Sequence, residues 1–218
     1  MKRIKDIYNV IPITMSSEIK QWFLMKHYAK RIPPISYLFG LYDKKNIIQG
    51  VCSFGMCVSY QEMLGWRPFN LIELNRLIVN EGLPNNTLSY FVSQSLKKLP
   101  SPIVIISYAD IEQGHHGYIY QATNWLYTGL GSVGTYSYII GNGKSSHSRH
   151  IKEYVNRGGV VKEKVKNKGK ARYYYFIGSK KEQREMKQKL RYPILPYIKG
   201  DNKKYDASYK PDVQQILF

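Results

Sequence analysis

The sequence is poor in cysteine, in acidic side chains and in long apolar runs. Two cysteines among 218 residues, Cys52 and Cys57, exclude a disulfide-stapled scaffold. Both lie in an apolar, strand-like stretch, which reads as two buried thiols in a reducing compartment. No apolar run reaches the ~18 residues that cross a bilayer. The charged start Met1-Lys2-Arg3-Ile4-Lys5 is not followed by an apolar signal core. The expectation is a cytoplasmic protein with no membrane partner. No internal repeat is visible either.

Acidic residues number 15 against 33 Lys and Arg, and the imbalance is uneven. Residues 1–143 carry 13 basic and 8 acidic side chains, whereas residues 144–218 carry 20 and 7. A local net charge of +13 suits a polyanion, because each neutralised phosphate releases a counterion. Hydrophobic residues make up 43% of the chain, enough for a real core and against wholesale disorder.

Hydrophobic patterning predicts one α/β domain. Residues 6–14 read as a strand, followed by a helix capped at Ser16 or Ser17 and stopped by Ile32-Pro33-Pro34. Strands at 36–42 and 47–54 flank the polar turn Asp43-Lys44-Lys45-Asn46. Residues 56–69 read as an irregular insertion, and 70–79 as a strand. A helix over 87–98 follows, with Leu88, Phe91, Val92 and Leu96 at helical spacing. The almost continuous apolar run 103–108 suits a strand buried on both faces. A short helix at 117–124 and strands at 125–128 and 134–140 close a core domain over 1–143. Residues 144–218 read as a basic extension and tail. Within it lie a short helix at 148–156, a hairpin of 160–166 with 171–177, and a basic helix at 180–190.

The chemistry-bearing residues concentrate in 70–129. Asp110 ends the apolar strand before a Gly-rich loop, where polar groups either line a crevice or cap a turn. Arg76 lies among apolar neighbours and needs an anion, which Glu73 or a bound ligand can supply. His115 and His116 are alternative bases on a loop.

The segments Glu73-Leu74-Asn75-Arg76-Leu77, Ser107-Tyr108-Ala109-Asp110 and Gly117-Tyr118-Ile119-Tyr120-Gln121-Ala122-Thr123-Asn124-Trp125 resemble those of the Mom family of phage proteins. His27-Tyr28 with Arg31-Ile32-Pro33 resembles the family's upstream motif. The resemblance covers about residues 20–140 and fades across 144–218. It implies a GNAT-like mixed central sheet flanked by helices, here with a basic C-terminal extension. It implies a transferase that adds a carbamoylmethyl (acetamido) group to the exocyclic amine of adenine in double-stranded DNA, protecting phage DNA from host restriction. It also implies iron, held by residues matching His27, Tyr28, Asp110 and Tyr120. Imidazole, carboxylate and phenolate are reasonable iron ligands. Equally, the two tyrosines read as amphipathic core residues with satisfied hydroxyls. Asp110, Tyr120 and Arg76 are the catalytic candidates.

The expected donor is acyl or aminoacyl, either acetyl-CoA or a glycine-derived donor such as glycyl-tRNA, which would make tRNA a second partner. Arg76, Thr87 and Ser89 are its candidate contacts. GNAT enzymes cradle a pyrophosphate on a Gly-rich loop. The equivalent Val79-Asn80-Glu81-Gly82-Leu83-Pro84-Asn85-Asn86-Thr87 keeps one glycine, adds a proline and carries an acid. A non-catalytic nucleic-acid-binding protein on the same fold is the rival reading. For DNA the candidates are Arg149, Lys152, Lys162, Lys164, Lys166, Lys168, Lys170 and Arg172, beside Tyr173-Tyr174-Tyr175-Phe176. Lys162, Lys164 and Lys166 share one face of a strand; they read as phosphate contacts or as guards of a solvated edge. Trp66 is a candidate wall for a base flipped out of the duplex.

Overall fold

The computed structural model describes residues 3–199 except 58, 112, 113, 132, 134, 142 and 144, and only the backbone of 60, 61 and 145–150. Ten strands and seven helices are found among the described residues. A short α1 (Ile4–Ile7) leads into β1 (Tyr8–Pro12). Next comes α2 (Ser17–Gln21), whose N-cap Ser16 accepts a hydrogen bond from the Ile19 amide, as the sequence predicts. It runs on as a wide π-helical turn, Trp22–Lys26, which ends at His27. A hairpin of β2 (Tyr37–Asp43) and β3 (Ile48–Met56) turns on Asp43, whose carboxylate accepts from the Lys45 and Ile47 amides. Then follow α3 (Tyr60–Gly65), β4 (Asn70–Val79), α4 (Thr87–Leu96), β5 (Ile103–Asp110), α5 (Tyr118–Ala122) and β6 (Leu126–Gly131). The chain continues through β7 (Tyr136–Ile140), β8 (Ser145–His147), α6 (Ser148–Asn156), β9 (Val161–Lys166), β10 (Lys170–Ile177) and α7 (Lys180–Lys189).

Seven strands form the main sheet in the order β1-β2-β3-β4-β5-β10-β6. Only β4 and β5 run parallel, so the sheet is mixed. Helices cover both faces. On one, Phe91, Val92 and Leu96 of α4 pack with Phe54, Leu74, Ile105, Trp125 and Tyr173. The other face has two patches. Trp22 and Phe23 meet Val51 and Ile78, while Met186 of α7 and Trp66 meet Val104, Ile106 and Tyr174. Burial on both faces explains why β5 reads as one apolar run.

Three expectations change. The boundary at residue 143 does not divide the sheet, because β10 from beyond it is the strand between β5 and β6. Nor do 160–166 and 171–177 pair as a hairpin. Instead β9 pairs with β7 in a second sheet of order β8-β7-β9, and β10 pairs with β5 and β6. Residues 56–69, expected to be irregular, contain α3 and a buried Trp66.

Candidate active site

The ladder between β4 and β5 registers Asn70–Glu73 against Ile103–Ile106, and both strands continue past it. At that point a hydroxyl takes over from the backbone. Ser107 Oγ donates to the Leu74 carbonyl at 2.8 Å and, its own proton used, accepts from the Tyr120 hydroxyl at 2.7 Å. In β4 a bulge at Asn75 opposes Ser53 and Phe54. Asn75 then donates to the Pro34 carbonyl at 2.7 Å, tying down the segment after His27.

Side chains alternate along β5, so Ser107 and Ala109 face α4 while Tyr108 and Asp110 face the other way. Lys170 stands opposite Asp110 on β10, and its ammonium lies 3.0 Å from the carboxylate. The same pair of strands fixes the histidine loop. His115 donates its amide to the Asp110 carbonyl, and Tyr173 donates its hydroxyl to the His116 carbonyl at 2.9 Å. Gly117 closes that loop with φ +77°; a Cβ there would fall 2.4 Å from the Tyr173 hydroxyl oxygen.

From the π-helical turn, His27 and Tyr28 reach this face. Their rings stack with centroids 4.4 Å apart, and the Tyr28 ring meets His115 edge-on at 6.0 Å. Burial, then the charges of Arg76, His115, Arg31 and Lys170, lower the His27 pKa to about 3. The ring is therefore neutral at physiological pH. Burial lowers His115 too, with Asp110 pulling the other way. Tyr28 remains 41% exposed.

Arg76 projects from β4 into the same neighbourhood. Burial, then the nearby Arg31, lower its pKa against the favourable influence of Tyr28 and Glu73. Its Nε is buried and finds no acceptor among the described residues. A buried guanidinium N–H without an acceptor, beside a second guanidinium, calls for an anion. Both sequence readings of Arg76 thus have a foothold, with Glu73 close by and one donor left over.

Tyr120 meets this cluster from the α4 face, near enough to feel the charge of Tyr28. It is buried among Trp125 and Tyr173 on the α4 face, and its hydroxyl stops at Ser107. Burial raises its pKa well above the ordinary phenol range. The residues matched to iron ligands each have a protein partner in this structure. Tyr120 approaches from the α4 face, where its hydroxyl meets Ser107. His27 Nδ1 accepts from the Ala29 amide, which leaves the proton on Nε2. Asp110 holds Lys170. Among the described residues no three His, Cys, Asp or Glu side chains gather as a metal site.

The other predicted contacts scatter. Thr87 Oγ1 donates to the Pro84 carbonyl and Ser89 Oγ to the Asn86 carbonyl, so both hydroxyls serve the turn before α4. Arg172 is a buried strut: its guanidinium donates to Thr128 Oγ1 and O at 3.0 and 2.9 Å and lies over the Tyr192 ring. Tyr173 and Tyr174 are fully buried, and Trp66 packs on Tyr174 and Phe176, so none is free to touch DNA. Lys152, Lys162, Lys164, Lys166 and Lys168 are exposed. The Arg149 side chain lies outside the described residues. Sequence reasoning missed Lys170 as the partner of Asp110 and left His115 as a secondary option. Both emerge only from the pairing of β10 with β5. Cys52 and Cys57 are buried thiols as expected, pushed by burial up to about 12 and about 11.

The spermidine/spermine N-acetyltransferase of Vibrio cholerae superposes with a TM-score of 0.47 at 10% identity, covering 84% of this chain and 99% of that one. An acetyltransferase-type protein of Acinetobacter baylyi gives 0.46 at 11%, covering 87% and 97%. Such scores describe a shared outline and carry nothing about chemistry. In sequence, the methylcarbamoylase Mom of Escherichia phage Mu is 30% identical over 113 residues, 48% of this chain and 46% of that protein. The aligned part thus spans less than half of that relative. The model of the Mom protein family matches residues 9–199, from β1 to beyond α7, and the chain belongs to the Mom family.

Proposed function

We propose that this protein is a DNA-modifying transferase that adds a carbamoylmethyl (acetamido) group to the exocyclic amine of adenine in duplex phage DNA, shielding that DNA from restriction. The reading is carried by one observation: in a Mom-family chain, Asp110, Lys170, His115, Tyr28, His27 and Arg76 meet where β4 and β5 part. The name of the phage Mu relative and the basic composition support it.

The amine of adenine is a weak nucleophile, since its lone pair is delocalised into the ring. A new bond from it to a donor carbon forms well only as its proton leaves. Asp110 is the acceptor for that proton, and Lys170 fixes the direction of the carboxylate. His27, held neutral, contributes no proton. A paired adenine is out of reach, so the base must leave the stack. Tyr28, exposed and propped by His27 and His115, is the aromatic wall against which it rests. Arg76 and Arg31 hold an anion, a phosphate of the donor or of the target strand. Of the two expected donors, a glycine-derived one such as glycyl-tRNA holds the two carbons, the oxygen and the nitrogen of the carbamoylmethyl group, whereas the acetyl group of acetyl-CoA lacks the nitrogen.

One observation favours the rival, a nucleic-acid-binding protein without catalysis: both hydroxyls expected to grip a donor are spent on their own turn. Mass spectrometry of nucleosides from plasmid DNA in expressing cells separates the two. The expected result is a heavier deoxyadenosine derivative that falls at least about a hundredfold with Asp110→Ala. Unmodified DNA from cells holding folded wild-type protein, supplied with phage-infected extract as donor source, would leave the binding reading standing.

A further inference from the structure

Residues 136–166 form a separate small unit inserted between two strands of the main sheet, β6 and β10. Among the described residues its strands pair only with each other, in the order β8-β7-β9, and α6 packs on β7 and β8. Seven Lys and Arg face two Glu in these 31 residues. The outer strand β9 exposes Lys162, Lys164 and Lys166; Lys164 and Lys166 share one side, Lys162 sits in a bulge opposite Ile139 and Ile140, and Val161 and Val165 turn partly inward. Lys164 lies over the ring of Tyr136, 4.1 Å from its centroid, and that ring is itself 38% exposed. A row of ammonium groups on a strand, with an aromatic ring beside it, suits a phosphate backbone.

The unit is joined to the main sheet by a tight neck. Asn167 donates its amide to the Thr135 carbonyl and its side-chain NH₂ to Thr135 Oγ1, each at 2.8 Å, and accepts from Ser137 Oγ at 2.8 Å. Gly169, at φ +95°, packs so closely that a Cβ would lie 2.8 Å from Val133 and 3.0 Å from the Gly131 carbonyl. The next residue is Lys170, the partner of Asp110. Chain leaving the basic strand therefore enters the active site within four residues.

We infer that residues 136–166 are a docking arm that grips the phosphate backbone of duplex DNA through β9 and fixes the target strand relative to Asp110. This rests on the DNA-modification reading above. The neck holds grip and chemistry in one register, so phosphate contact at β9 sets which nucleotide faces the carboxylate.

The test compares two charge-matched triple variants of the full chain. One is Lys162→Gln, Lys164→Gln, Lys166→Gln in the arm. The other is Lys180→Gln, Lys181→Gln, Lys187→Gln on exposed positions of α7. Fluorescence anisotropy with a labelled duplex is recorded over a salt series. The arm variant should lose about 2 to 3 from the slope of log affinity against log salt, at about 0.9 per phosphate contact. Its affinity at low salt should fall at least tenfold, and the α7 variant should keep the wild-type slope. An arm variant with an undiminished slope, or an α7 variant that loses as much, overturns the inference. Binding is read without turnover. Wild-type protein that binds with full slope but modifies no adenine sinks the transfer reading and leaves the arm intact.

Discussion

The main sheet and the inserted arm use the same basic residues in opposite ways. Around β10 of the main sheet the charges are answered by neighbours. Lys170 meets Asp110, Arg172 meets Thr128 and the Tyr192 ring, and Glu62 accepts from the Tyr174 and Tyr192 hydroxyls. In the arm, Lys162, Lys164 and Lys166 point to solvent from an outer strand. Sequence lists them as one run of cations from 149 to 172. The fold divides that run at the neck. Among the described side chains, cations before Asn167 meet no buried acid, and Lys170 and Arg172 after Gly169 are built into the sheet. Desolvation makes the difference, because a buried cation without partners costs several kcal/mol and an exposed one costs almost nothing.

The sharpest way to break this comparison is to mutate one residue from each side. Arg172→Met should destabilise by about 2–3 kcal/mol, since two hydrogen bonds from a charged group and a ring contact are lost together. Lys164→Met, eight residues earlier, should stay within about 0.5 kcal/mol. Urea unfolding of the two variants checks both. Equal losses would mean that the arm's lysines are structural too.

Much of this division was hidden in the sequence for a physical reason. Element types are local, and β4, α4, β5, α6 and α7 fall within a few residues of where periodicity and capping place them. Strand partners are not local. A glycine turn at 167–170 between two strand-like segments reads as a hairpin, yet β9 and β10 each pair elsewhere. One signal was available. The unbroken run Tyr173-Tyr174-Tyr175-Phe176 lacks polar alternation, as expected of a strand covered on both faces. It marked an inner strand more than a DNA-stacking surface. Period two also separates Ser107 from Asp110 on β5. What no pattern in the sequence gives is that Tyr120 reaches Ser107 from the α4 face.

Protonation offers a second, smaller break. His27 titrates near 3 in the folded chain and near 6.5 when unfolded. Below pH 6.5 the unfolded chain binds a proton that the folded chain refuses, so stability is whole above 6.5 and falls as pH drops toward 3. At pH 5 the loss is about 2 kcal/mol at most, before discounting for partial exposure of the ring. His27→Gln should flatten the stability profile between pH 5 and 6.5, measured by urea unfolding at each pH. An unchanged slope would show that other groups set it. The arm, with no such buried imidazole among its described side chains, should contribute nothing to this window.

The smallest effect separates two roles for Tyr28. As a wall for the extruded adenine it needs its ring; as a metal ligand it would need its oxygen. Tyr28→Ala should weaken kcat/KM on duplex DNA about tenfold, in line with the ~1–3 kcal/mol of a base stacked on an aromatic ring. Tyr28→Phe keeps the ring and should recover most of that loss. Pairing supplies a further handle. Extruding a mispaired adenine costs less, so the Tyr28→Ala defect should shrink on a duplex with a mismatch at the target. An oxygen-dependent role predicts the reverse order, with Phe as poor as Ala and no relief from the mismatch. Stoichiometric iron in the purified wild type, lost in Tyr28→Phe, would add weight to that outcome. The stacking role is favoured because His27 and His115 already hold the Tyr28 ring at the site, while the Tyr120 hydroxyl is engaged by Ser107.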